Sequence, residues 1–247
     1  MIQLSHLEPF AVGGRRECYV HPDDPQRCIK TLRTDDRKTV RITKHPLIPA
    51  RWRRIYDNNA DEQRQLEKLQ RSLGSSITSA HLPVCHGVEP TDLGPGLVLD
   101  LVRDDRPAPG TAGPGPISRT LRDYLTAGEP LDIFRAAYDT FAAFLLKHRV
   151  LTRGLHDHNL VAQHRADGTW RLVLIDGIGD PAWLPFASLI PALGRKKVRK
   201  RTDAAWPRMA AFASAGGVSD ELIKTSSWDQ GMLRHRGDSA PPEPNAH

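Results

Sequence analysis

The stretch Asp104–Ser118, DDRPAPGTAGPGPIS, constrains the fold more than any other part of the chain. Proline fixes φ and has no N–H to donate, and glycine loses the most backbone entropy on ordering, so a run built from both sits inside neither a helix nor a sheet. It separates a strand-rich first part from a helix-rich remainder, which predicts two unlike lobes rather than a repeated unit. We therefore expect an α+β fold with a sheet lobe over 1–103, a linker over 104–118, a helical lobe over 119–233 and a disordered tail over 234–247.

Before the break, LSHLEPFAVGGRRECYVHPDDPQRCIKTL reads as two short strands, a glycine pair, the strand ECYV, a turn and the strand RCIKTL, an antiparallel meander. LPVCHGVEP and GPGLVLDLV add two further strands and complete a five-stranded lobe. Its one helix lies in ADEQRQLEKLQRSLG, where Leu66, Leu69 and Leu73 recur at helical spacing, Asp61 and Glu62 occupy the first turn and Gly74 ends the run. Residues 33–57 are strongly basic, contain two prolines and show no clean period, so they read as a loop. After the break come a short helix at TLRDYLTAG, a long buried helix in PLDIFRAAYDTFAAFLLKHRV, a hairpin-like LTRGLHDHNLVAQ, the turn DGTW and the strand RLVLIDG. Residues 181–231 read as helical in pieces.

Composition narrows the function classes. An apolar share of 39% against 26% charged residues excludes a disordered chain, and no apolar run reaches the roughly 20 residues of a membrane span. Cys18, Cys28 and Cys85 are odd in number, widely spaced and not preceded by a signal peptide, so a disulfide framework is not expected and the reading is cytoplasmic. They read as small buried residues, and without a CxxC pair they offer no structural zinc site. The net charge of +6 favours anionic partners in general, with RKKVRKR at 195–201 either a solvated face or a dock for an acidic partner.

The chemistry-bearing residues come late. Asp176 closes the apolar strand LVLIDG, and the following glycines permit a sharp turn that would aim its carboxylate into a cleft. Such an Asp is also an ordinary turn former. Asn159 stands seventeen positions earlier with a hairpin between, and an Asn and Asp so coupled suit a hard cation, since Mg²⁺ takes one or two side-chain oxygens plus those of phosphates.

A glycine-bearing hairpin, a strand lysine, a helix with an acid, a linker, a long helix, an Asn-bearing loop and a strand ending in DG follow one another as in protein kinases. The segments GGRRECYVHPDDPQRCIK, LPVCHGVEPTDLGPGLVLDLV, GLHDHNLV and IDGIGD resemble the YrbL family, a divergent branch of protein-kinase-like proteins named for the PhoP regulatory network, over residues 2–205. The resemblance implies a bilobal kinase-like fold binding ATP with Mg²⁺. Lys30 would contact the α and β phosphates, Gly13 and Gly14 would form the phosphate-covering turn, and Asp100, Leu101 and Val102 would present backbone groups to the adenine edge. The third glycine of a kinase loop is replaced near Arg16, and Arg15 or Arg16 could supply charge instead. Glu62 is the choice for the acid that pairs with Lys30, with Glu67 its competitor.

One position departs from the pattern. The catalytic Asp of a kinase precedes the Asn by five residues, and here that residue is Gly154. Asp157, His156 and His158 are the substitutes within the loop: Asp157 if it turns inward to accept a proton, His156 as a group near the transferred phosphate. A zinc reading of HDH lacks a distant partner to close a tetrahedral site. The expectation is an atypical ATP-dependent phosphotransferase or nucleotidyl transferase acting on a small molecule or protein. Its rivals are a pseudokinase that binds nucleotide without transfer and, more weakly, a nucleic-acid-associated protein.

Overall fold

Alternation along three short strands sets the face on which the first lobe does its work. The computed structural model describes residues 1–13, 15–33, 58–107, 110, 112–179, 190–215 and the backbone of 234–235. Within these, β1 (Ala11–Val12), β2 (Arg16–His21) and β3 (Asp24–Leu32) form an antiparallel ladder in which Cys18 faces Lys30 and Val20 faces Cys28. Because side chains alternate along a strand, Cys28 and Lys30 share the inner face while Ile29 packs with Leu4, Tyr19 and Val98 on the outer one. Two more strands, β4 (Cys85–Thr91) and β5 (Gly94–Asp100), close the sheet, with β5 paired to β3 so that Leu97 lies opposite Lys30.

Two expectations for this lobe are corrected. The opening segment before Ala11 forms no ladder strand, only an isolated bridge from Ile2 to Thr91, anchored where Asp92 Oδ1 accepts from the Leu4 amide at 2.7 Å. The sheet also gains a sixth member: β8 (Arg234–His235) pairs with β1, so the expected tail begins with two ladder residues, and 236–247 lie outside the described residues.

Helix α1 (Asn58–Leu73) buries Asn59, Glu62 and Leu66, spaced three and four apart on one stripe against β3 and β5, and is followed by the one-turn α2 (Ser75–Thr78). The Pro/Gly-rich stretch leaves and returns to the same place, since Asp104 N–H bonds Pro116 O at 2.9 Å and Ser118 N–H bonds Val102 O at 3.0 Å. The chain therefore enters the second lobe through a pinned crossing rather than an extended tether.

There, α3 (Leu121–Thr126) starts from a capping box in which Thr120 and Asp123 satisfy each other's orphan groups. A 3₁₀ turn (Leu131–Phe134) leads into α4 (Arg135–His148), and a second 3₁₀ turn (Asp157–Asn159) leads into the hairpin of β6 (Leu160–His164) and β7 (Trp170–Leu174). The expected pieces after residue 181 are instead, over the described part, one helix, α5 (Pro191–Ser214), continuous through Pro207. Its Trp206 ring packs 4.9 Å from Tyr138 of α4, and Arg195, Lys196, Arg199 and Lys200 are exposed. One apolar cluster runs from Leu66, Leu97 and Leu99 through Leu82 to Phe134, Phe141 and Leu172, so the two lobes share a core on one side of a cleft. No helix among the described residues is long and apolar enough to cross a membrane.

Candidate active site

Strand parity brings Lys30 into the cleft, and helix periodicity brings Glu62 to meet it. Lys30 Nζ donates to Glu62 Oε1 at 2.8 Å and to the carbonyl of Ile175 at 2.7 Å, which ties the sheet lobe to the residue just before Asp176. Glu67 faces elsewhere and accepts from Gln63 at 2.8 Å, so Glu62 is the partner of the strand lysine.

Arg16 completes the network. Its guanidinium bonds Glu62, reaches Asp176 Oδ2 at 2.7 Å and lies 3.4 Å from Asn59 Oδ1, while Asn59 Nδ2 donates to Lys30 O at 2.7 Å. Arg16, Lys30 and Glu62 are each at most 6% exposed, and Asp176, with its side chain 39% exposed, ends the alternating chain of two cations and two carboxylates at the cavity. Burial opposes the charge of Arg16 and of Lys30, yet Asp176 and Glu62 hold the Arg16 pKa above its ordinary value, and Glu62 does the same for Lys30. Burial likewise opposes the charge of Asp176, but Arg16 and Lys30 outweigh it and keep the carboxyl well below the usual range. The sequence held one unused signal for Arg16: it has the parity of Cys18, hence the inner face.

Asn159 and Asp176 meet where two loops touch. Ile175 N–H donates to Asn159 O at 2.9 Å, and Gly177 takes φ of +77°, a left-handed turn that lets its own N–H cap Asp176 Oδ1. A Cβ on Gly177 would lie 3.4 Å from both Asn159 Nδ2 and Gly154 O, so the Asn159 loop and the Asp176 turn are in contact. Lys30, Asn159 and Asp176 all line one cavity of about 290 Å³ between the lobes.

The position of the missing aspartate is filled from elsewhere. A Cβ on Gly154 would fall 2.6 Å from Nε2 of His156, so the imidazole stands where that side chain would begin. His156 stacks on His158 with centroids 5.2 Å apart and planes 11° apart. Burial first, then the neighbouring His158 and Arg208, press the His156 pKa down to about 4, so its ring is neutral at pH 7.

The expectation for Asp157 is corrected. Its carboxylate is buried and held by both arms of Arg122, with Nη2 2.6 Å from Oδ1, and it does not line the cavity. Burial raises its pKa, but hydrogen bonds from His158 and Arg122 win and hold it near about 2. His156 also lies outside the cavity lining, and from this loop His158 and Asn159 reach it. Asp157 therefore shapes the loop. Arg201 and Arg208 of α5 donate to the carbonyls of Arg153 and Leu155 on either side of Gly154, and Arg153 pairs with Asp61 of α1.

Asp100, Leu101 and Val102 also line the cavity. Leu101 N–H is taken by Gln26 O at 2.8 Å, whereas among the described residues Val102 N–H has no hydrogen-bond partner. Cys18 and Cys28 roof the cavity, and burial raises both thiol pKa values, Cys28 to about 12, so they pack as protonated apolar groups. Gly13 lines the cavity, and Gly14 lies outside the described residues, as does all of the basic loop but Arg33. Among the described residues no three or more His, Cys, Asp or Glu group together so that they could hold a metal ion.

The sequence model described as PhoP regulatory network protein YrbL matches residues 2–211. The chain belongs to the YrbL family. It is 26% identical over 192 residues to the YrbL protein of Escherichia coli (strain K12), covering 76% of this chain and 78% of that protein, and the same figures hold for YrbL of Shigella flexneri. Among solved structures it is similar to the PknI kinase domain of Mycobacterium tuberculosis, at 15% identity and a TM-score of 0.36, and to the bifunctional kinase-methyltransferase WbdD, at 15% identity and a TM-score of 0.40. These superpositions cover 68% and 87% of this chain and only 57% and 46% of those chains.

Proposed function

We propose that this member of the YrbL family binds ATP with Mg²⁺ in the interlobe cavity and transfers a phosphoryl group to a small-molecule or protein acceptor. The observation that carries the reading is the convergence of Lys30, Asn159 and Asp176 on one cavity, with Lys30 paired to Glu62 at 2.8 Å. The adenine edge would meet Val102 N–H and the carbonyl of Asp100 beneath the two cysteines, and the phosphates would lie along Gly13, Arg15 and Lys30. Asn159 and Asp176 supply the oxygens a hard cation prefers and border the same space, so the residues fit Mg²⁺ in kind and place. When bound, the ion would neutralise charge developing on the phosphates.

In the transfer, the acceptor oxygen forms a bond to the γ phosphorus as the bond to the β-phosphate oxygen breaks, ADP leaves, and the acceptor's proton passes to a base. His158 is the imidazole of the loop that lines the cavity and takes this role in place of the aspartate that Gly154 replaces. Proton transfer contributes about 10²–10⁴ in rate, and positioning about 7–11 kcal/mol of barrier, so the loss of a carboxylate base slows such a site without abolishing it. A second reading, nucleotide binding without transfer, is favoured by one observation: the His156 ring occupies the space next to Gly154. Exposed cations on α5 support an acidic partner for either reading.

Incubation with γ-labelled and α-labelled ATP in parallel tests the proposal. Transfer of the γ label, lost in Asp176→Ala, is the expected result. Transfer of the α label instead makes the protein a nucleotidyl transferase, and binding with no transfer of either makes it a regulatory module.

A further inference from the structure

Asp176 is claimed twice, by the metal that the nucleotide reading places there and by a cation the chain already supplies. Oδ1 accepts from Gly177 N–H and Oδ2 holds Arg16 Nη2 at 2.7 Å. Mg²⁺ binds carboxylate oxygen at about 2.0–2.1 Å and would come within a few ångström of a guanidinium on the same carboxylate. The two positive groups do not share it without strong repulsion.

The surroundings show which contact can yield. Arg16 divides its partners, with Nη1 on Glu62 and Asn59 and Nη2 on Asp176. The Glu62 side chain is 5% exposed and that of Asp176 39%, so the inner contact is sealed and the outer one faces the cavity from which a ligand arrives. Arg16 and Lys30 balance Glu62 and Asp176 in charge, so the empty network is neutral, and an entering polyphosphate finds its cations already engaged. Breaking the outer contact frees a donor for the phosphates without dislodging the arginine from Glu62.

We propose that Arg16 is the resident counter-ion of the metal position, and that its guanidinium and a divalent cation exchange at Asp176, the released Nη2 turning to the polyphosphate. This rests on Asn159 and Asp176 being the metal ligands. It makes Arg16 a positioning residue that keeps Asp176 aligned before the ligand arrives and lowers affinity for a metal without nucleotide.

The test is Mn²⁺ binding without nucleotide, followed near neutral pH by electron paramagnetic resonance on the intact protein. Arg16→Gln should bind Mn²⁺ about tenfold tighter than wild type or more, within the usual range for coupled ligands, and Asp176→Asn should weaken it in both backgrounds. Equal affinities in wild type and Arg16→Gln, or no measurable binding in either, overturn the exchange. Should Arg16→Gln not fold, wild type labelled with ¹⁵N-arginine serves: the Nη signals of Arg16 should shift when Mg²⁺ is added to the ADP complex, and unchanged signals overturn the proposal. Thermal stabilisation by ADP, lost in Lys30→Ala, tests the nucleotide reading separately, so stabilisation together with equal Mn²⁺ affinities sinks the exchange alone.

Discussion

Substituting Gly154 by Asp would restore the side chain that a kinase carries at this place, and the structure predicts that the chain rejects it. The new Cβ would stand 2.6 Å from Nε2 and 2.8 Å from Cδ2 of His156, closer than carbon tolerates, so the imidazole must move. It does not move freely, because it stacks on His158 and is partly buried. Overpacking of this kind costs about 1–3 kcal/mol, which for a chain of this size lowers Tm by about 2–12 °C. Differential scanning fluorimetry of Gly154→Asp, His156→Ala and the double variant closes a cycle. The double variant should be more stable than the sum of the single effects by at least about 1 kcal/mol, since the two side chains compete for one space. A Gly154→Asp protein as stable as wild type, or one whose loss is the same with and without the His156 ring, would refute the reasoning.

Other expectations follow from the same geometry. Glu62→Gln leaves two buried cations short of a carboxylate and should cost about 3–5 kcal/mol in urea unfolding, whereas Glu67→Gln should cost under about 0.5 kcal/mol. Asp157, with its folded pKa depressed to about 2, contributes stability that is complete above the unfolded value near 3.8 and lost as pH falls toward 2; Arg122→Ala should flatten that acid limb of a Tm-against-pH curve. His156, depressed to about 4, should show no proton-NMR midpoint near its usual 6.5, and its contribution to stability, present above that value, should fall away as pH drops toward 4.

Regular periodicity made much of this legible from the sequence. Lys30 follows from the family resemblance, Glu62 from its place one turn ahead of Leu66, and Asn159 with Asp176 from a hairpin whose two strands bury Leu160, Val161, Leu172 and Leu174. What stayed hidden depends on pairs across space. Asp157 looked like a spare base because a loop acid carries no mark of its partner, and Arg122 lies 35 residues away on another helix. Arg16 was visible as charge, but its two carboxylates sit on α1 and beyond β7, joined only when the lobes close on each other. The continuity of α5 was masked by its cations, which give no apolar stripe because its exposed face is charged and its buried positions include Gly194 and Thr202.

The most direct test of the account is a calorimetric titration of the wild-type protein with Mg-ATP, repeated with Lys30→Ala and with Asn159→Ala. One site per chain, weakened strongly by either substitution, is the predicted result, because both side chains border the same cavity from opposite lobes. A wild-type protein that gives no binding heat and no ATP-dependent rise in Tm would contradict it, and so would binding indifferent to both residues.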